Sequence, residues 1–249
     1  MSLKNSAITK RLEDIERIIA IVSGKGGVGK TLIASTMALT MAKFGFPSGL
    51  LDMDFTNSSC HLILGVDVLK EKPVEDMGVL PVKVHGIEFM SVAFYSRGEA
   101  LPLRGMEVDN VFRELLMITR WGRLKALVID TPSGFGDVIL NIATYLPRAE
   151  FIAVTSPNRL SLEALKRLAG TYMRERVLGV IVNMSYKPIH SSVERMGFKV
   201  LVEIPRYDDL EDYMGYVDRL METEFAGKIE ETVLKVLDES FKAGYNGLT

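Results

Sequence analysis

The sequence predicts an α/β fold: a doubly wound, mostly parallel sheet with helices on both faces, with residues 1–249 forming one domain. Three observations predict it. Short apolar runs alternate with amphipathic stretches along the chain, and that rhythm builds parallel sheets through crossover helices. Several runs are rich in Val and Ile and apolar on both faces, as strands covered on two sides must be. A glycine-rich turn joins the first run to the first amphipathic stretch.

The strands are expected at residues 18–22, 49–52, 87–91, 126–130, 151–155, 177–182 and 199–204, where apolar runs are short enough to be strands. The helices are expected between them. Residues 32–44 carry an apolar stripe at Ile33, Met37, Leu39 and Met41. Residues 108–121 repeat it with Val111, Leu115 and Ile118. Residues 160–168 and 210–220 continue the pattern, and 229–241 closes the chain. No Gly/Ser linker, low-complexity tract or repeat breaks the series.

Composition narrows the classes. The chain is 47% hydrophobic and 25% charged, ordinary for a globular protein. A net charge of −2 gives no global attraction to nucleic acid or anionic membrane. The single cysteine, Cys60, excludes an internal disulfide and fits a reducing compartment. Residues 1–17 lack the apolar run of a signal peptide, and no stretch approaches the roughly 20 apolar residues of a membrane span. A soluble, cytoplasmic protein is expected.

The chemistry concentrates in Gly24-Lys25-Gly26-Gly27-Val28-Gly29-Lys30-Thr31, followed by Leu32. It follows a strand and opens a helix, the context a phosphate-binding P-loop needs. Glycines let backbone N–H groups turn around an anion. Lys30 would reach the β- and γ-phosphates of ATP, or the β-phosphate of ADP, and the Thr31 hydroxyl would ligate Mg²⁺. Asp130 ends an apolar strand, where a carboxylate faces the ligand crevice and can hold Mg²⁺ through water. Asp52 and Asp54 form an Asp-x-Asp pair after another strand; one would sit near Mg²⁺ and the other orient the attacking water.

Lys25 is the unusual feature, a second lysine at the mouth of the loop. The run KGGVGKT resembles the deviant P-loop of the Mrp/MinD/ParA group of ATPases. The segments Leu51-Asp52-Met53-Asp54, Arg104-Gly105-Met106, Trp121-Gly122-Arg123-Leu124, Asp130 to Asp137 and Val182 to Tyr186 are similar to the Mrp branch, and Ile204-Pro205 continues the likeness. The resemblance implies a MinD-like fold and a nucleotide-sandwich homodimer in which Lys25 reaches the partner's nucleotide. It makes Lys25, Lys30 and Asp54 the catalytic groups, with Asp54 placing water and the Gly134 N–H near the γ-phosphate. The Asn183 amide would read adenine N6 and N7, with Pro205 and Arg206 flanking the base.

Departures from that pattern set the expected role. Mrp-type iron–sulfur carriers have a Cys-x-x-Cys after the Asn-Met-Ser segment; here Tyr186 to Ser192 contains no cysteine. The carrier alternative therefore loses its ligands. A chain of Mrp type without them resembles the archaeal HypB ATPases of Mrp/MinD type. That implies service to a HypA-type nickel chaperone in nickel–iron hydrogenase maturation. The helix 229–241 mixes acidic and basic residues on its polar face, unlike a membrane-binding helix. Arg167, Arg174 and Arg176 make at most a modest basic patch, so neither membrane nor DNA positioning is expected. Cys60 and His61 are adjacent soft ligands, but a small buried residue entering a helix describes Cys60 better. His85 and His190 stand alone.

Overall fold

The computed structural model describes residues 3–237. Helix α1 (Leu3–Arg11) leads into β1 (Ile15–Val22), and the glycine-rich turn then opens α2 (Lys30–Lys43). Next come β2 (Ser48–Asp52), α3 (Cys60–Leu64) and a small ribbon of β3 (Val74–Glu75) and β4 (Val79–Leu80). The hairpin β5 (Val82–Val84) and β6 (Ile87–Ser91) precedes α4 (Ala93–Ser96) and α5 (Met106–Ile118). The chain continues through β7 (Leu124–Asp130), α6 (Asp137–Tyr145), β8 (Glu150–Thr155) and α7 (Arg159–Ala169). It ends with β9 (Val177–Ser185), α8 (His190–Arg195), β10 (Val200–Pro205), α9 (Val217–Leu220) and α10 (Glu224–Val236).

Eight strands form one sheet in the order β10-β9-β8-β1-β7-β2-β6-β5. Every pairing in it is parallel except the hairpin β5·β6. That hairpin turns on His85 and Gly86 with φ +48° and +79°, the two positive values a tight two-residue turn needs to follow strand twist. The chain moves from β1 past β7 to β2, so a right-handed crossover puts α2 on one face. It returns from β6 to β7 and then crosses to β8, so α5 and α6 lie on the other. The packing agrees: α2 contacts α3 and α10, whereas α5 contacts α1 and α6. α2 is buried almost all round because it lies between the sheet and α10.

All seven expected strands exist, and β1 starts earlier, at Ile15. The helix expected at 108–121 spans Met106–Ile118, because Thr119 turns extended and its hydroxyl bonds back to the Leu115 carbonyl at 2.6 Å. The helix expected at 210–220 is not one helix. A 3₁₀ turn over Leu210–Tyr213 stops at Gly215 (φ +82°), whose N–H donates to Ile63 O, and α9 begins afresh at Val217. The final helix starts at Glu224, capped by the Thr223 hydroxyl, and ends where Leu237 becomes extended; the rest of the expected 229–241 stretch lies outside the described residues. The short strands β3, β4 and β5 and the helix α6 are elements that the sequence reading lacks.

Gly49 shows how tightly the sheet is covered. A Cβ there would lie 2.8 Å from Leu124 Cδ1 and 2.9 Å from Trp121 Cζ3. Gly49→Ala should therefore cost about 1–3 kcal/mol through overpacking. Urea unfolding reads this directly, and an unchanged midpoint would refute the close packing.

Candidate functional site

The chain leaves β1 for β2 on one side and later enters β8 on the other. This reversal opens a crevice at the carboxyl end of β1, where ligands bind in such sheets. The loop of residues 24–29 lies there. Gly27 and Gly29 take φ +73° and +86°, values that a side chain disfavours. Gly24 is constrained by space instead: a Cβ would come within 2.4 Å of Ala164 Cβ on α7 and 2.8 Å of Phe135. The loop is open toward solvent at Lys25, Gly26 and Gly27, while Val28 is buried and anchors it, as Leu32 does in the first turn of α2.

The two lysines are placed differently. Lys30 is only 7% exposed. Burial pushes its pKa down, and the carboxylates of Asp130 and Asp54 partly restore it. Lys25 is exposed; its carbonyl, not its ammonium, is held by the Ser23 hydroxyl at 2.7 Å. The Gly134 N–H donates to Ser23 O at 2.9 Å, which ties the segment after Asp130 to the root of the loop.

The carboxylates come together as adjacent strands require. Asp52 and Asp130 are register partners on β2 and β7, and both are fully buried. Burial first, then the charge of Asp52, pushes Asp130 up to about 8; the Thr31 hydroxyl and the Lys30 ammonium offset part of that rise. Burial also pushes Asp52 up to about 6, against hydrogen bonds from Ser58, Asp54 N–H and Ser91. Asp130 Oδ1 is buried with no hydrogen-bond partner among the described residues. An orphaned carboxylate oxygen beside a hydroxyl suits a hard divalent cation, so Thr31 and Asp130 are the residues that would hold Mg²⁺.

Asp52 is less free than the sequence suggested. Its Oδ1 accepts from Asp54 N–H at 3.1 Å, and its Oδ2 accepts from the hydroxyls of Ser58 (2.5 Å) and Ser91 (3.2 Å). It anchors the turn that carries Asp54. Asp54 Oδ1 in turn accepts from Thr56 N–H, the Thr56 hydroxyl and Asn57 N–H, so this carboxylate closes a turn at the crevice mouth.

Asn183 is 4% exposed, and its Nδ2 donates to Val28 O at 2.9 Å. One amide hydrogen is thus spent on the phosphate loop, and a Cβ on Gly29 would fall 2.4 Å from that nitrogen. Pro205 is paired in register with Ser185 at the adjacent strand end, and Arg206 is exposed in an ion pair with Asp208. Sequence reading missed Ala164, Phe135 and the Asn183–Val28 bond because each is a contact between distant segments.

Cys60 is fully buried and opens α3; its Sγ lies 3.7 Å from Asp130 Oδ2. Burial pushes its thiol well up. Cys60, Asp52 and Asp130 offer ligand atoms within 4.8 Å of one another, a group His61 does not join. Arg176 is no part of a free basic patch. Its guanidinium donates to the carbonyls of Ala143, Leu146 and Ala149 and lies over the Phe151 ring. No described helix is long and apolar enough to cross a membrane.

A glycine cradle on a strand-to-helix turn, a buried lysine and a strand-end carboxylate define a P-loop NTPase. The family comparison agrees and goes further. Residues 14–236 match the ParA model described as NUBPL iron-transfer P-loop NTPase. The chain belongs to this family. An iron-sulfur cluster carrier protein of Aquifex aeolicus is 33% identical over 181 residues, covering 71% of this chain and 50% of its own length. One from Haemophilus influenzae is 29% identical over 98% of this chain and 72% of its own length. The chain spans about half the length of several curated relatives it matches. Among solved structures, a nucleotide-binding protein from Archaeoglobus fulgidus in complex with ADP is similar with TM-score 0.69 and 28% identity, covering 88% of this chain and 93% of its own. The septum site-determining protein MinD of Pyrococcus horikoshii, with Mg-ADP, has TM-score 0.66 at 20% identity, covering 90% and 97%, and supports the fold. The Mrp/MinD/ParA likeness and the α/β fold with a mostly parallel sheet therefore stand. The expected HypB identity, nickel delivery and HypA-type partner find no support in these relatives, whose names point to iron–sulfur clusters instead.

The raised Asp130 gives a pH prediction. An acid whose pKa is higher in the folded state binds its proton preferentially there, so stability falls as pH rises from the unfolded value toward the folded one. Asp52, at about 6, has largely finished by neutral pH, which leaves the interval from 6 to 8 to Asp130. Without nucleotide, urea midpoints should decline between pH 6 and 8, and Asp130→Asn should flatten that decline. Equal slopes for the two proteins would disprove it.

Proposed function

We propose that this chain hydrolyses ATP with Mg²⁺ as a dimeric switch serving iron–sulfur cluster or iron transfer. The observation that carries the reading is the division between two lysines in one loop. Lys30 is buried toward the carboxylates of its own chain, while Lys25 is exposed at the mouth, its ammonium without a partner among the described residues. One γ-phosphate does not need two lysines from one subunit. An exposed cation beside the phosphates is suited to a second copy's nucleotide, where it would act in the manner of an arginine finger. In that assembly Lys30 and the loop amides bind the phosphates, and Asp54 places the water. The segment from Asp130 to Gly134 senses the γ-phosphate, since Gly134 is already tied to the loop's root. Asn183, Pro205 and Arg206 line the side where adenine would lie.

The family and its relatives supply the cargo class. The chain's own chemistry limits how it takes part. A cluster usually asks for about four thiolates, and a dimer of this chain has two, both buried behind carboxylates. We therefore assign the chain the driving step of a handover, with the cluster or iron held on thiolates of another protein. Anaerobic reconstitution of the isolated chain should give no iron–sulfur absorption.

Lys30→Ala should lose tight ADP and ATP binding, because a charge-assisted contact to the phosphates disappears. Titration calorimetry with near-wild-type ADP affinity would defeat the phosphate assignment.

Lys25→Ala should keep ATP binding within a few-fold yet lose most hydrolysis, since charge supplied in trans is worth about 10³–10⁵ in rate. Asp54→Ala should also lose hydrolysis. A heterodimer of the two has one site with both groups intact, so phosphate release should return on mixing. A mixture that forms heterodimers but stays inactive would show that Lys25 does not act across the dimer.

A further inference from the structure

Residues 208–224 carry seven carboxylate side chains and one cation, Arg219. Three of these carboxylates are engaged locally: Asp208 by Arg206, Asp209 by Tyr213 and Glu224 by Tyr207. The carboxylates of Glu211, Asp212, Asp218 and Glu222 are exposed and have no ion-pair partner among the described residues. In the midst of this charge stand exposed apolar groups: Met214 is 40% exposed and Tyr216 60%, and Leu62, on the neighbouring α3, is 59% exposed. The Arg219 guanidinium lies over the rings of both Tyr213 and Tyr216, at 5.8 and 5.9 Å, so the aromatic groups are held in place.

We propose that Leu62, Met214 and Tyr216, edged by Glu211, Asp212 and Asp218, form a docking surface for a basic, amphipathic segment of a partner protein. Charge selects the occupant. Nucleic acid and anionic lipid would be repelled, and a second copy would set one acidic face against another. A segment with lysines or arginines flanking apolar side chains matches both features.

The surface is joined to the switch. Gly215 N–H donates to Ile63 O at 3.1 Å, and a Cβ on Gly65 would lie 2.7 Å from Gly215 O, so α3 and the loop meet backbone to backbone. At its other end α3 starts at Cys60, whose N–H bonds Asp52 Oδ2 just after the Asp54 turn. A change at Asp54 therefore shifts Leu62 against Met214 and Tyr216. This coupling rests on the switch reading above.

The probe is a fluorescent leucine–lysine amphipathic peptide of about 18 residues, with a same-composition scrambled peptide as control, titrated against the full chain with Mg-ATP and with Mg-ADP. Hydrogen exchange should protect residues 60–65 and 208–219. Glu211→Lys with Asp212→Lys, and separately Leu62→Ser with Tyr216→Ser, should each weaken binding about tenfold while leaving ATP hydrolysis intact. Affinity should differ several-fold between the two nucleotides. Several results would overturn the proposal: protection elsewhere, equal binding of the scrambled peptide, or loss on charge reversal alone, which marks simple counterion attraction. Self-association through this face, seen as protection without peptide that vanishes on dilution, would also overturn it. Equal affinity in both nucleotides, in a protein whose Lys25 and Asp54 variants complement, refutes the coupling and leaves the switch standing; failed complementation refutes the switch reading itself.

Discussion

An ammonium group removed from water must be matched by negative charge, and that requirement on Lys30 organises the crevice. The lysine sits at the first residue of α2, directly after a loop that turns through positive φ at Gly27 and Gly29. Its counter-charges come from Asp130 and Asp54, and these are at hand because β7 lies between β1 and β2. A direct β1–β2 neighbourhood would have left no strand end for Asp130 beside the loop. The crossover that inserts β7 is thus the step that turns a phosphate loop into a site with a metal-side carboxylate.

The same arrangement is costly without a ligand. Asp52 and Asp130 are buried register partners; burial raises the proton affinity of both, and the charge of Asp52 adds to the rise at Asp130. The hydroxyls of Ser58 and Ser91 donate to Asp52, while one oxygen of Asp130 has no hydrogen-bond partner among the described residues. A buried carboxylate oxygen left unpaired beside a hydroxyl and an ammonium is the kind of group that a catalytic role, a water or an ion accounts for. The asymmetry separates two residues that look alike in sequence: Asp52 is fixed by its own chain, and Asp130 keeps one oxygen with no partner among the described residues.

Much of this was legible in the sequence, for physical reasons that differ by element. The phosphate loop was legible because glycine, lysine and threonine occur in one contiguous run whose function fixes their spacing. The parallel strands were legible because burial on both faces leaves continuous apolar runs. The stretch 210–220 misled because Leu210, Met214, Val217 and Leu220 keep helical spacing, yet Gly215 gives its N–H to Ile63 and breaks the helix. The contacts that hold the loop, Gly24 against Ala164 and Asn183 against Val28, join residues more than a hundred positions apart. No local pattern announces them. The absent Cys-x-x-Cys is a real feature of the sequence, but it led toward nickel, whereas the family description and the names of the relatives point to iron and iron–sulfur clusters.

Those two facts are compatible once holding a cluster and driving its movement are treated as separate tasks. Holding takes thiolates near the surface, and the one thiol here is buried against Asp130, where its pKa rises and its reactivity falls. Driving takes a nucleotide site coupled to a surface, and the proposed switch and the proposed docking face lie in continuity. From Lys30 and Asp130 the path runs through the Asp52–Asp54 turn into α3, and from α3 through paired glycines to an acidic face. Its links are the charge of Lys30 facing Asp130, the Asp52–Asp130 strand pairing, the Asp52 hydrogen bonds to Asp54 N–H and Cys60 N–H, and the backbone contact of Gly65 with Gly215. A protein that gave up cluster ligands would lose nothing in this path, because none of its links uses a cysteine sulfur.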